Sequence, residues 1–468
     1  MKSTNAFSNN FLKFEKKHNL FFCQFSGVYI WDYIRYSVFL EIKNKKYKNP
    51  NAKTSLRSSP FKSVLALIKS LIRVVFQPKK HNLRLNKDIT FLGHPRKVIE
   101  DASYSDKYCD DIIEELRNKF SISMFDLPFK LNHFNDRGIV EVKYLDLFEH
   151  TMIFSPYLIR LKFSKPEELL LRKIESEIQN EFQVSINVFD KVKKAVKQYK
   201  ALKRKINKLF INNDLKCLVC VDGYNFIKKI FIESANERSI PTIELQHGAI
   251  GYFHIAYRYE VMEKELHSFP KYFFLWGSHW KNFLKLPKNK FSRIVGFPYL
   301  EKRHKSSSDP SKNILVISQW TIGFKLMKEV NKIAKELPEY HFLFKIHPNE
   351  IDSVDSYKSL IQVSNIEIVK EEVGLYDLFN KSVGQIGVYS TALLEGLAFN
   401  LKTFIIPIDR HEAFKDLIES NIMFKIRKAD DILDKLKSNI EVRYSRDDIW
   451  KSDALKNNIS EIKNIIML

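Results

Sequence analysis

The stretch His341-Phe-Leu-Phe-Lys-Ile-His-Pro348 is a short apolar run that ends in a histidine and a proline. Further along the chain, Gly387-Val-Tyr-Ser-Thr-Ala-Leu-Leu-Glu-Gly396 joins a second apolar run to the start of a helical pattern. In both stretches a strand pattern is followed by polar residues that can bind anions. Because ligands of open parallel sheets bind at the carboxyl ends of strands, we expect both stretches to serve one binding site.

Strand and helix patterns alternate on both sides of these stretches. Such alternation is typical of parallel sheets that are covered by helices on both faces. We therefore predict the α/β class, with two Rossmann-like domains that face a central cleft. The predicted strands are residues 89–92, 218–221, 241–245, 314–318, 342–346, 366–369, 385–389 and 403–408.

Length and polar stretches suggest where the domains divide. A chain of 468 residues exceeds what one hydrophobic core usually serves. Residues 302–312 are rich in serine and contain no apolar residue, which is typical of a linker. We expect a helical, basic and aromatic segment at residues 1–87, one Rossmann-like domain at residues 88–301, and a second one with terminal helices at residues 313–468.

The excess of positive charge is concentrated near the N-terminus. The formal net charge is +22, and residues 1–88 hold 18 Lys and Arg against 4 Asp and Glu. Residues 61–77 show an amphipathic helical pattern, with Lys79 and Lys80 directly after it. A basic amphipathic helix can bind an anionic membrane surface. An ordinary packed helix with a solvated face is the alternative.

Several classes of protein are disfavoured by the motifs that the sequence lacks. It contains no apolar run near the ~20 residues that span a bilayer and no signal-peptide core, so we expect a cytoplasmic protein, at most peripheral on the inner membrane face. Cys217 and Cys220 would point to opposite faces of a strand, and we predict no metal site. Zinc-finger spacing, RNA-recognition signatures, phosphate-binding P-loops and dinucleotide fingerprints are absent, so neither a nucleic-acid partner nor a cofactor is expected.

Polar residues after the C-terminal strands can hold a nucleotide. Ser390 and Thr391 begin a helix, where hydroxyls and backbone amides can bind phosphate, and Glu395 can accept hydrogen bonds from a ribose diol. His347 can donate a hydrogen bond to a leaving phosphate and stabilise its negative charge. A helix cap and a structural histidine are the alternatives.

Two further residues complete the predicted donor site. Gln319 follows the first strand of the C-terminal half, and Lys345 lies two positions before His347. Both therefore belong to loops or strand ends at the predicted ligand-binding edge.

The N-terminal half supplies candidate catalytic residues. Asp222 follows the strand at residues 218–221, and Gln246 and His247 follow the next strand. A carboxylate here can remove the proton from an acceptor hydroxyl, and a histidine can orient the acceptor or share the role of general base. We therefore predict Asp222, His247 and His347 as catalytic and Gln246 and His247 as acceptor-binding, although Asp-Gly is also a common turn pair.

These residues resemble those of a known family. Lys345-Ile-His-Pro348 and Tyr389-Ser-Thr391, with Glu395, resemble motifs of the GT-B glycosyltransferases that build bacterial capsule and lipopolysaccharide, notably polysialyltransferases and teichoic-acid glycerophosphotransferases. Glu244-Leu-Gln-His-Gly248 is similar to a strand end in surface-polysaccharide transferases, as are the runs at residues 274–277 and 295–298. The resemblance covers roughly residues 218–408.

The resemblance implies a GT-B-like fold in which His347, Ser390 and Thr391 bind donor phosphate and an acidic residue of the N-terminal half is the base. Polysialyltransferases carry two acids before a glycine where this chain has a single one, Asp222, so Asp101, Asp106 and His94 remain alternatives. Asp-x-Asp occurs nowhere in the sequence, and we expect transfer without a metal ion.

The sequence thus predicts a glycosyltransferase that moves a sugar from a CMP- or UDP-type donor to a growing bacterial surface glycan, such as capsule or O-antigen. The donor would bind the C-terminal half and a glycan or lipid-linked acceptor the N-terminal half. A transferase of CDP-activated glycerol or ribitol phosphate, a nucleotide-sugar 2-epimerase, and a catalytically idle membrane-associated partner in polysaccharide assembly are the alternatives.

Overall fold

The chain forms two compact units, which we call unit 1 and unit 2. Unit 1 comprises Met1–Leu275, Lys281–Val295 and Leu455–Leu468, and unit 2 comprises Trp276–Trp280 and Gly296–Ala454. The computed structural model of the protein describes residues 2–47, 60–95, 97–100, 103–129, 131–134, 138–252, 254–260, 265–303, 312–320, 322–369, 373–408, 411–438 and 446–467. Most of the predicted linker, residues 302–312, lies outside these ranges.

Unit 1 contains a seven-stranded sheet in the order β5-β4-β1-β6-β7-β8-β9, in which all neighbouring strands are parallel. Strands β2 and β3 form a separate antiparallel pair. The central strands are apolar on both faces because helices cover both sides of the sheet. The strands are β1 (Ile89–Leu92), β2 (Val98–Glu100), β3 (Ser103–Ser105), β4 (Ile122–Asp126), β5 (Val142–Tyr144), β6 (Cys217–Val221), β7 (Thr242–Leu245), β8 (Tyr272–Leu275) and β9 (Phe291–Ile294).

Side chains cap some of the helices of unit 1. Ser164 and Glu167 form a capping box at the start of α7, and Asn225 accepts a hydrogen bond from the backbone N–H of Ile227 at the start of α9. The helices are α1 (Lys2–Lys17), α2 (Trp31–Lys46), α3 (Pro60–Phe76), α4 (Pro78–His81), α5 (Asp110–Leu116), α6 (Asp146–Leu158), α7 (Lys165–Phe182), α8 (Val188–Leu209), α9 (Phe226–Asn236) and a last helix, Ala454–Met467.

Unit 2 contains a six-stranded parallel sheet in the order β12-β11-β10-β13-β14-β15. Its strands are β10 (Asn313–Ile317), β11 (His341–Lys345), β12 (Ile366–Val369), β13 (Gly384–Gly387), β14 (Lys402–Ile405) and β15 (Met423–Lys425). Its helices are α10 (Pro298–Arg303), α11 (Gly323–Glu336), α12 (Val354–Lys358), α13 (Leu375–Asn380), α14 (Thr391–Leu397), α15 (Lys415–Glu419), α16 (Ala429–Lys437) and α17 (Arg446–Ile449).

The strand order identifies both sheets as Rossmann-like. Numbered along the chain, the strands of unit 2 lie in the order 3-2-1-4-5-6, and those of unit 1 in the same order with a seventh added. The direction of winding therefore reverses between β10 and β13 in unit 2 and between β1 and β6 in unit 1. The prediction of an α/β protein with two Rossmann-like domains is confirmed, and each predicted strand ends within three residues of an observed one.

The N-terminal helices are part of unit 1 and pack through a buried ion pair. Glu15 on α1 and Arg35 on α2 are each 2% exposed, and Arg35 donates two hydrogen bonds to the carboxylate, at 2.8 and 2.6 Å. Trp31 donates a third at 2.7 Å, while Arg35 also reaches the carbonyls of Ile255 and Arg258.

Among the described helices, none has the length and apolar character needed to cross a bilayer.

Replacement of Glu15 by Gln should destabilise unit 1 by about 3–5 kcal/mol, because it leaves the Arg35 charge buried beside a neutral partner. Urea unfolding measures the loss. Glu177→Gln is the matched control, since its partner Lys17 is 60% exposed and surface pairs contribute about 1 kcal/mol or less. Equal losses for the two variants would contradict this assignment.

Candidate active site

Three polar loops follow adjacent strands of unit 2. Strand β10 lies between β11 and β13, and its end is the point where the winding reverses. The side-chain oxygen of Gln319, after β10, accepts a hydrogen bond from the backbone N–H of Tyr389, after β13, at 3.2 Å. The structure therefore joins the loop of Gln319 directly to the loop of Ser390 and Thr391 at the edge where such sheets bind ligands.

A buried carboxylate fixes the loop of His347. Glu350 is 3% exposed and accepts hydrogen bonds from the Ser318 hydroxyl at 2.7 Å and from the Tyr357 hydroxyl at 2.6 Å. Its Oε2 also accepts from the backbone N–H of His347 at 3.1 Å. Since Ser318 follows β10 and His347 follows β11, Glu350 locks the two loops together.

The role of Glu350 was missed by the sequence analysis. The available signal was an acid three positions after His347, at the start of the 3-10 helix Pro348–Ser353. The packing around Glu350 also explains why residue 323, at the start of α11, is a glycine. A Cβ atom there would collide with the side chains of Glu350 and Tyr357, so no larger residue fits without displacing this network.

The predicted donor residues on α14 have different environments. Ser390 is the N-cap, and its hydroxyl accepts from the backbone N–H of Ala392 at 3.3 Å, which leaves the hydroxyl proton to donate. Thr391 is exposed. Glu395, by contrast, is 7% exposed and accepts a hydrogen bond from Tyr376, so its carboxylate already has a partner inside unit 2.

Lys345 also has a partner within unit 2. It is the last residue of β11, and its ammonium group donates to the carbonyl of Val373 at 2.8 Å. This bond ties the end of β11 to the segment before α13.

In unit 1, the structure brings the Asp222 loop next to His247. Strands β6 and β7 are neighbours, and the Tyr224 hydroxyl lies 3.3 Å from Nε2 of His247. Asp222 has a left-handed backbone, with φ of 61°, a conformation that aspartate adopts more readily than most residues other than glycine. The ring of His94, after β1, lies 5.7 Å from that of His247. The loops after β1, β6 and β7 thus converge.

Glu244 holds the turn that carries Asp222. It is 1% exposed within β7, and its Oε1 accepts from the backbone N–H of Gly223 at 2.9 Å and from the Tyr257 hydroxyl at 2.6 Å. Burial raises the pKa of Glu244 to about 7, although these two hydrogen bonds oppose the rise. The sequence gave one sign of the role of Glu244, which is an acid inside an otherwise apolar strand. No role was predicted for it.

Burial also determines the charge of His247. Burial lowers the pKa of His247 well below its ordinary value, and the neighbouring His94 and His254 lower it further. The side chain is therefore neutral near pH 7, and it is a weaker base than an exposed histidine. Gln246 is 2% exposed and donates to the carbonyl of Gly248 at 2.9 Å, so its amide is used within the loop.

The alternative base Asp106 already has structural partners. It is 2% exposed, pairs with Lys97 at 2.9 Å, and accepts from the backbone N–H groups of His94 and Tyr108. Burial alone would raise the pKa of Asp106, but Lys97 and His94 hold it below its ordinary value. Asp101 lies outside the described residues.

No protein-family model and no curated protein matches this chain. Solved structures with a similar fold include UDP-GlcNAc 2-epimerase from Neisseria meningitidis bound to UDP-GlcNAc, with a TM-score of 0.47 and 11% identity over 80% of this chain and 99% of that one. A UGT transferase from Siraitia grosvenorii in complex with UDP has a TM-score of 0.44 and 10% identity over 81% and 99%. MurG from Acinetobacter baumannii has a TM-score of 0.44 and 10% identity over 80% and 99%. Likenesses at this level do not identify an activity.

The stability of unit 1 should depend on pH through Glu244. Its pKa rises from 4.5 to about 7 on folding, so the folded state binds the proton more tightly, and stability is lost as pH rises from about 4.5 through 7. Glu244→Gln, which does not titrate, should therefore gain about 2–3 kcal/mol relative to the parent between pH 5 and pH 8. Urea midpoints measured across this range test this, with the exposed Glu339→Gln as control. A difference that is constant with pH would refute the assignment.

Proposed function

We propose that the protein is a glycosyltransferase that moves a sugar from a CMP- or UDP-type donor to a growing bacterial surface glycan such as capsule or O-antigen. The observation that carries the proposal is the cross-linked edge of unit 2. There Glu350 and Gln319 hold the loops of His347 and Ser390 at the ends of adjacent parallel strands. Nucleotides bind sheets of this topology at that edge.

The donor phosphates would bind His347, Ser390 and Thr391. As the bond between the sugar and the nucleotide breaks, negative charge develops on the leaving phosphate. Hydrogen-bond donors of the protein that are already held in position stabilise this charge without reorganisation. Glu350 provides this pre-organisation because it fixes the backbone of His347. Gln319 and Lys345 would support the nucleotide from the ends of β10 and β11, and Glu395 is proposed for the ribose.

The acceptor would bind unit 1 through Gln246 and His247. Asp222 is proposed as the base that removes the proton from the acceptor hydroxyl, and the neutral His247 orients the acceptor or shares that role. The left-handed turn held by Glu244 fixes the position of Asp222. Because His347 and the hydroxyls would stabilise the leaving phosphate, the proposed transfer uses no metal ion at the donor.

Calorimetric titration with CMP, CDP, UDP and GDP should show selective binding of one donor class. His347→Ala and the double variant Ser390→Ala/Thr391→Ala should each weaken that binding about 10-fold or more, because a hydrogen bond to a charged group contributes roughly 1.5–3 kcal/mol. His341→Ala is the matched control, since His341 begins the same strand and its ring bonds the exposed Glu367.

Folded protein that binds none of the four nucleotides would contradict a donor site and favour an idle partner in assembly. The mass of the product then separates the enzymes that share the fold. A transferred sugar adds a glycosyl residue, a CDP-activated polyol adds phosphorus, and an epimerase leaves the mass unchanged.

Helix α3 presents its apolar side outward. Ser70 on its inner side is fully buried and bonds Asp146, whereas Val75 and Phe76 are 71% and 79% exposed. The exposed apolar side chains of α3 are Val64, Leu65, Ile68, Leu71, Ile72, Val75 and Phe76. Basic Lys69, Lys79 and Lys80 are exposed beside them. Exposed apolar side chains beside lysines support a role of α3 at a membrane surface.

We propose that α3 binds the anionic inner face of the cytoplasmic membrane, where a lipid-linked acceptor would be presented. The apolar side chains would enter the headgroup boundary, and the neighbouring lysines would contact anionic lipid. The adjacent helix α6 adds Tyr157 and Leu158, which are 86% and 78% exposed. The protein would then be cytoplasmic and peripheral on the membrane.

Vesicles that contain phosphatidylglycerol should bind the protein, and Ile68→Asp/Ile72→Asp should weaken this binding at least ~10-fold, since both side chains would lose apolar burial. Co-sedimentation measures the bound fraction. Leu169→Asp is the control, because Leu169 is 60% exposed on a different helix. Unchanged vesicle binding by the α3 variant would refute the proposal, and self-association abolished by the same variant would identify a second copy as the occupant instead.

A further inference from the structure

Two histidines and an aspartate cluster inside unit 1, beside the edge strand of its sheet. His81 ends α4, His133 lies between β4 and β5, and Asp146 begins α6. One ligand atom from each of the three lies within 4.8 Å of the others. Asp146 is fully buried and His81 is 6% exposed. The cluster adjoins the edge strand β5, which β4 and β1 separate from β6.

The ligand atoms have the spacing of a coordination shell. Nε2 of His133 lies 2.8 Å from Oδ2 of Asp146, and Nδ1 of His81 lies 3.7 Å from the same oxygen. A tetrahedral zinc ion with ligands at ~2.0–2.1 Å separates those ligands by ~3.4 Å. The two observed distances lie on either side of this value, and the shorter one is a hydrogen bond between His133 and Asp146 that a bound ion would replace.

The ring of His81 has no close hydrogen-bond partner. Within the described chain, neither ring nitrogen meets the distance and angle of a hydrogen bond, and the ring interacts only at longer range with the Asp146 carboxylate and the Tyr144 backbone. Buried polar side chains are nearly always hydrogen-bonded, and a buried nitrogen without a partner destabilises a fold by about 1–3 kcal/mol. A metal ion would supply the missing partner.

The carboxylate of Asp146 is oriented for this role. The Ser70 hydroxyl donates to Oδ1 at 2.6 Å, which leaves Oδ2 facing the two histidines, and also contacts Nε2 of His150 at 2.9 Å. The ring of His133 stacks on Tyr144, with centroids 3.5 Å apart. Outer partners of this kind fix the ligands of metal sites.

We propose that His81, His133 and Asp146 bind one Zn²⁺ ion, with water as the fourth ligand. Two imidazoles and one carboxylate suit zinc, whereas calcium and magnesium require shells of oxygen. The ion would join α4, the loop of His133 and α6. Through Ser70 it would also fix α3, whose outer side is exposed. The site is separate from the residues proposed for sugar transfer.

Full-length protein stripped with a chelator should bind one Zn²⁺ per chain in competition with a chromophoric chelator. His81→Phe should weaken that binding by at least the ~10–100-fold that losing even an outer partner causes. Zinc should raise the melting temperature of the parent and not that of the variant. Co²⁺ should give the visible absorption of a four-coordinate site in the parent alone. His341→Phe, which removes a histidine on the surface, is the control and should bind as the parent does.

The phenylalanine ring replaces an imidazole whose nitrogens make no hydrogen bond within the described chain, so His81→Phe should fold without metal. If it does not fold, His133→Gln serves the same comparison, because an amide can still donate to Asp146 but cannot replace the imidazole as a zinc ligand. Zinc binding that is absent from the parent, or equal in parent and ligand variant, would overturn the proposal.

Discussion

Each unit contains one buried carboxylate that holds a loop at the carboxyl edge of its sheet. In unit 2, Glu350 accepts hydrogen bonds from a tyrosine hydroxyl and from the backbone N–H of His347. In unit 1, Glu244 accepts from a tyrosine hydroxyl and from the backbone N–H of Gly223. The sheets themselves only bring loop ends to a common edge. The carboxylates fix those loops, and so they decide where His347 and Asp222 lie.

This arrangement explains why the polar side chains at the two edges can be ready for a ligand. A loop held only by its ends would have to lose conformational entropy on binding, whereas loops bonded to a buried carboxylate have already done so. The cost falls on the fold, because a carboxylate in an apolar interior must be fully hydrogen-bonded or protonated. Glu244 shows this cost directly, since burial raises its pKa to about 7. The fold therefore loses some stability, while its loops are held in position before a ligand binds.

The sequence predicted most strands of both sheets that are buried on both faces, because such strands are continuous apolar runs, as in β6 and β10. It did not predict the buried strand β8, nor β2, β3, β4, β5, β9 and β15, all of which have only three to five residues. The carboxylate networks were also missed. Glu350 bonds Ser318, 32 positions away, and the ligands of the proposed zinc site come from three separate elements with no motif spacing. Contacts of this kind follow from the fold and not from local sequence.

The proposed donor site consists of the loops fixed by Glu350 and Gln319. A structure determined with the preferred nucleotide bound would test it most directly. We expect the phosphates to lie within hydrogen-bond distance of His347 and of the Ser390 and Thr391 hydroxyls, with the loops in the same positions as in the protein without nucleotide. A nucleotide bound elsewhere, with these side chains beyond hydrogen-bond distance of every phosphate oxygen, would contradict it.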